Sequence, residues 1–133
     1  MNVELIAVTR YLRGEGRPEE LLEHAGRVCY RSKGKGDPAK FLRARIREGH
    51  ESIMEHLRFI FKVDQVPVQD LLDVHRVAQG VGLTLWPESV LISANARTLR
   101  DMVCRSETDI ARALLEAAAE KCPVIFQDLI RDS

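Results

Sequence analysis

Gly49–Val63 reads GHESIMEHLRFIFKV, and the second half of that stretch decides how the chain folds. From Leu57 onward, Leu57, Phe59, Phe61 and Val63 alternate with Arg58, Ile60 and Lys62, which is the two-residue period of a strand with one buried face. The first half sets His50, Glu51, Ser52, Glu55 and His56 directly in front of that strand. Such side chains invite a metal reading. The two histidines, however, stand six residues apart, about 600° around an α-helix at 3.6 residues per turn. The H-E-x-x-H and H-x-x-E-H patterns need their histidines on one helical face, so no metal site is expected. Two readings stay open on the residues alone. Either Ser52 and Glu55 have capping roles in a solvated turn, or the polar groups lie on a loop and converge on a ligand at the strand mouth.

Working outward, Val3 to Thr9 is a short β-prone run that ends in the charged, glycine-containing YLRGEGRP. Pro18 suits the first turn of a helix in which Leu21, Leu22, Ala25, Val28 and Cys29 form one stripe; His24 and Cys29 read as helix packing. RSKGKG breaks the pattern, and without a Walker arrangement Gly34-Lys35-Gly36 is a basic loop. Asp37-Pro38 resembles an N-cap and first-turn pair for a helix carrying Phe41, Leu42 and Ile46, with Gly49 as its stop. After Val66-Pro67 a helical pattern holds Val68, Leu71, Leu72 and Val77 and should fail near Gly80 and Gly82. Ser89 to Ala94 is a third strand, closed by Asn95. Leu99, Met102 and Val103 indicate a helix. Another follows Ser106 to Thr108, with Ile110, Ala113, Leu114, Ala117 and Ala118 as its stripe, and Cys122-Pro123 interrupts it.

The 133 residues, 45% apolar, suit a single domain over 1–133 with one core. Lysine plus arginine number 20, as do aspartate plus glutamate, so no global field favours nucleic acid or an anionic membrane, and any anion site must be local. The sequence has no apolar run near the ~20 residues of a membrane span, and MNVELIAVTR lacks the features of a signal peptide, which points to a cytoplasmic protein. Cys29, Cys104 and Cys122 are odd in number and widely spaced, and read as buried free thiols.

HESIMEH followed by LRFIF resembles the H-x-[ST]-x-x-E-H-x-x-F-x-F motif of the flavin-dependent thymidylate synthases. MNVELIAVT, AGRVCYRS at 25–32, SANARTL at 93–99 and EKCPVIF at 120–126 match that family in the same order. The resemblance implies an α+β fold: a small mixed, mainly antiparallel sheet flanked by helices, assembled as a homotetramer with flavin sites between subunits. It implies a methyltransferase of nucleotide biosynthesis that converts dUMP to dTMP, using methylenetetrahydrofolate, FAD and NADPH. His50, Ser52, Glu55, Asn95 and Arg97 are thereby implied as FAD-binding residues, and Arg105 as a substrate-phosphate residue, one position nearer Asn95 than the family pattern sets it. No catalytic residue is assigned, and His56 matches the motif without an assigned contact. Read without the resemblance, Asn95 is an N-cap and Arg97 a solvated arginine.

The chain departs from the family in its middle. The signature R-H-R-x-x-S-x-N-E-x-S-x-R-Y is absent; His75-Arg76 in LLDVHRVAQGVG is its nearest remnant, and SVLISAN follows within about a dozen residues. That segment supplies most of the family's dUMP-binding groups. Two functions are therefore expected in competition: an FAD-binding, thymidylate-synthase-like protein whose synthase activity is in question, or a non-catalytic oligomeric paralogue that binds a nucleotide or serves as a scaffold.

Overall fold

The structure, a computed structural model, describes residues 1–30, 38–47, 51–77, 81–85, 88–105 and 108–130. Among them, β1 (Asn2–Val8), β2 (Arg58–Asp64), β3 (Gly82–Leu85) and β4 (Ser89–Asn95) form one sheet in the order β1-β2-β4-β3. Every pairing is antiparallel. The helices are α1 (Pro18–Tyr30), α2 (Pro38–Arg47), α3 (Val68–Val77), α4 (Ala96–Arg105), α5 (Asp109–Lys121) and α6 (Pro123–Phe126), with 3-10 turns at Glu51–His56 and Gln127–Leu129. The expected α+β class is the one the chain adopts.

β2 lies between β1 and β4, and its period-two pattern sets the core. Leu57, Phe59, Phe61 and Val63 are all fully buried. Pairing Phe59 with Ala94, Phe61 with Ile92 and Val63 with Val90 carries the same face across β4, because directly paired residues project to the same side of a sheet. Phe59 stacks on Phe61 with ring centroids 6.2 Å apart and meets Phe126 at 5.8 Å. On the opposite face Arg58, Lys62, Asp64, Ser93 and Asn95 stay partly or fully exposed.

Helix ends follow local chemistry. Thr108 caps α5 by accepting from the Ala111 N–H, and Pro123 opens α6 at the first turn, where a missing N–H costs nothing. In the first turn of α1, the Glu20 carboxylate reaches back to accept from the backbone N–H groups of Arg17 and Glu15, which hold its pKa below the usual carboxylate range. Gly26 lets α1 approach α2: a Cβ there would sit 2.7 Å from the Phe41 ring.

Several expectations change. Gly82–Leu85 is a strand that its leading glycine and short length conceal; it pairs along β4, Leu83 against Ile92. The α3 stripe is split, with Val74 buried but Val68 and Leu72, four residues apart on one face, 71% and 56% exposed. His24 is exposed and hydrogen-bonds the Tyr11 hydroxyl through Nδ1 at 2.7 Å, so it is not packed inside α1. Of the thiols, Cys122 is buried and pushed up to about 12, whereas Cys104 is exposed. RSKGKG, Asp37, Gly49 and Gly80 lie outside the described residues.

One ion pair ties the C-terminal segment to α4. The Arg100 guanidinium donates from Nη1 and Nη2 to the two Asp128 oxygens, each at 2.7 Å, and from Nη1 to the Ile125 carbonyl at 2.7 Å. Arg100 is nearly buried and Asp128 half exposed, so the pair gains from a low dielectric on one side only. The Arg100 hydrogen bonds hold the Asp128 carboxyl below its ordinary range. A depressed folded-state pKa means stability that is present above the unfolded value and lost as pH falls through the folded one. Asp128→Asn should therefore cost about 1 kcal/mol at neutral pH, with the difference from wild type shrinking below about pH 4, as read by urea unfolding across pH. In the core, Phe59→Ala should cost about 3–5 kcal/mol in the same assay.

Candidate functional site

The polar stretch ahead of β2 is neither a plain loop nor an α-helix but the 3-10 turn Glu51–His56. With three residues per turn, side chains at i and i+3 lie one above the other. Met54 and Leu57 accordingly both point into the core, each fully buried. Ser52 and Glu55 share another edge of the turn and are exposed, as is His56. The two buried anchors fix the turn and so place Glu55.

Backbone bonds then bring the start of α4 to that turn. Leu57 N–H donates to the Met54 carbonyl at 3.3 Å, and Ala96 N–H donates to the Leu57 carbonyl at 2.8 Å. The β2–β4 register sets Arg58 opposite Asn95. Across this junction, 42 residues apart in sequence, Arg97 Nη1 donates to Glu55 Oε1 at 3.1 Å. Both side chains remain open to solvent, 42% and 52% exposed.

Asn95 caps α4, its Oδ1 accepting from the Thr98 N–H at 2.8 Å. The capping role therefore holds for its oxygen, while its amide nitrogen has no partner among the described residues. Arg97 is a half-buried arginine whose open side chain is ion-paired. Two residues not expected from sequence join the group: Arg58 Nη1 donates to Ser93 Oγ at 2.8 Å, on the same sheet face as Asn95. Their signal was available in the polar phase of the β2 and β4 alternation, though alternation reports a solvated face and not a site. Arg105 is exposed at the last residue of α4, eight residues beyond Arg97, and makes no ion pair among the described residues. His50 lies outside the described residues.

The result is a shelf at one end of the sheet, formed by Ser52, Glu55, Arg58, Ser93, Asn95 and Arg97. It carries guanidinium and amide donors, two hydroxyls and one carboxylate acceptor. Such a set suits a ligand with both phosphate or carbonyl acceptors and ring donors. Among the described residues no three His, Cys, Asp or Glu side chains are grouped as metal ligands would be, and no helix is long and apolar enough to cross a membrane.

Residues 6–79 match the family model described as thymidylate synthase complementing protein. Two solved structures of the flavin-dependent thymidylate synthase ThyX from Helicobacter pylori, both with FAD and dUMP, share the fold. They superpose with TM-scores of 0.72 and 0.71 at 15% identity, covering 98% and 99% of this chain and 100% of theirs. No curated protein matches the sequence. The family match includes the 3-10 turn and β2 and stops before β4, so Asn95 and Arg97 reach the shelf through the fold.

A solvated pair contributes little to folding, whereas a cap contributes more. Glu55→Ala and Arg97→Ala should each change stability by less than about 1 kcal/mol in urea denaturation. Asn95→Ala should lose about 1 kcal/mol or slightly more. A loss above about 2 kcal/mol for either member of the pair would show that it holds the fold together instead of standing ready for a ligand.

Proposed function

The chain belongs to the thymidylate synthase complementing protein family, and on that premise we propose that it is an FAD-binding, thymidylate-synthase-like protein whose cofactor lies on the Ser52–Glu55–Asn95–Arg97 shelf. The observation that carries this reading is the Glu55–Arg97 pair, drawn together at 3.1 Å by the fold yet left in solvent. Its free valences fit the group. Arg97 commits one nitrogen to Glu55, and Asn95 commits only its oxygen, so guanidinium and amide N–H groups remain to donate outward.

In this reading Arg97 forks onto a phosphate of the cofactor, and Asn95 donates to an acceptor on it. Ser52 and Glu55 take its hydroxyl or N–H groups, and His50 stands near the ring by family resemblance. Holding these groups against one another before the ligand arrives lowers the ordering cost of binding. When bound, the flavin would supply hydride chemistry, with NADPH as its reductant and dUMP as the nucleotide; Arg105, exposed at the end of α4, would hold the nucleotide phosphate. The H. pylori structures were obtained with FAD and dUMP, which supports that choice of ligands. Residues 1–133 would act as one domain, in a cytoplasmic homotetramer that completes each site.

Among the described residues, the short β3 is the one element between α3 and β4, and the sequence there lacks the family signature that would furnish more dUMP contacts. Nucleotide affinity, and with it methyl transfer, should accordingly be weaker than flavin binding, because positioning both reactants is what such a site must supply. Visible spectroscopy with an FAD titration tests the proposal. The protein should bind FAD, and Glu55→Ala/Arg97→Ala should weaken binding by about 10- to 100-fold while the fold persists. A protein that binds no FAD overturns the reading and leaves a non-catalytic oligomeric role. Conversion of dUMP to dTMP by the purified protein alone would exclude that role.

A further inference from the structure

A cavity of about 350 Å³ lies between α2, α4 and the C-terminal 3-10 turn, lined by Arg43, Ile46, Arg47, Arg100, Val124, Gln127 and Asp128. Its size falls within the range of small-molecule sites, about 300–1,000 Å³. None of the shelf residues lines it. Arg97 and Arg100 both leave α4, but the first is held by Glu55 and the second by Asp128 and the Ile125 carbonyl.

The charge on its walls is unbalanced. Over ten residues α2 carries Lys40, Arg43, Arg45 and Arg47 and no acid. Arg45 lies over the Phe41 ring, 5.2 Å from its centroid, so its guanidinium is engaged elsewhere. Arg43 and Arg47 stand four apart on one face, a like-charge arrangement that disfavours a helix. Proximity to the helix C-terminus favours Arg47 but does nothing for Arg43 in mid-helix. Neither guanidinium has an ion-pair partner among the described residues. Asp128, the acid in the cavity wall, already gives both oxygens to Arg100. Two exposed positive forks therefore border a cavity whose other lining includes the side chains of Ile46 and Val124.

We propose that this cavity binds a small organic phosphate monoester, its dianionic head between Arg43 and Arg47 and its apolar body over Ile46 and Val124. Guanidinium forks match phosphate oxygens in pairs, and two of them balance a dianion. Gln127 adds a neutral amide at the wall. The site stands independently of the flavin shelf, and its function would be recognition of a second ligand.

Phenyl phosphate, titrated calorimetrically into the full chain, is the probe. It should bind saturably at one site, and Arg43→Gln/Arg47→Gln should weaken it by about 10- to 100-fold. Glutamine keeps a good helix former at both exposed positions, and unchanged thermal unfolding with an unchanged FAD titration would confirm that only this site is altered. Arg43→Lys/Arg47→Lys should retain part of the affinity as point charges. The proposal fails if no saturable binding occurs up to about 10 mM, or if the glutamine variant binds as well as wild type. It also fails if inorganic phosphate binds as tightly, which removes the apolar body, or if phthalate binds more tightly, which removes the phosphate head. Loss of phenyl phosphate binding in Glu55→Ala/Arg97→Ala would assign it to the shelf instead.

Discussion

Burial of one face of β2 is the constraint on which the rest of the structure depends. A strand projects alternate side chains to opposite sides, so four fully buried residues at Leu57, Phe59, Phe61 and Val63 leave no freedom of register: a slip of one residue would put Arg58 and Lys62 into the core. β1 and β4 must then pair with β2 in the one alignment that continues its apolar face, and the helices cover that face. Because β2 is the middle of the sheet on both sides, whatever its ends dictate is transmitted to two neighbours.

The candidate site follows from the same constraint. Its first half is carried by the turn that feeds β2, locked by Met54, and its second by the start of α4, which β4 delivers through the Ala96–Leu57 hydrogen bond. Glu55 and Arg97 are thus positioned by buried apolar packing and backbone pairing, while their own contact lies in solvent and adds little. A polar pair that the fold aligns without needing it for stability is well placed to exchange partners with a ligand. The basic cavity beside α2 differs in kind. There Arg100 and Asp128 pair with each other and fasten the C-terminal segment, and the positive character comes from the exposed Arg43 and Arg47.

Local rules read much of this correctly. The β2 alternation, Pro18 at a helix start, Thr108 before α5, the break of α5 at Cys122-Pro123 and Asn95 at the end of the last strand all occur where short-range chemistry puts them. What failed were features set by neighbours. Gly82–Leu85 has too little apolar pattern to be read as a strand, and becomes one because β4 offers it an edge. Val68 and Leu72 look like core residues by spacing, yet α3 turns Val74 inward and leaves them uncovered. His24 finds Tyr11, thirteen residues earlier, which no helical period could indicate.

By itself the sequence determined the buried phase of β2, the helix boundaries marked by proline and capping side chains, and the residue types of the polar turn. These depend on interactions within a few residues or on a period, and both are written along the chain. Only the tertiary structure decided that the turn is 3-10, that Arg97 reaches Glu55 across 42 residues, that Arg58 and Ser93 join them, and that Arg43 and Arg47 border a cavity. Those facts depend on which elements meet in space, and that is set by the requirement that all the apolar faces be buried together.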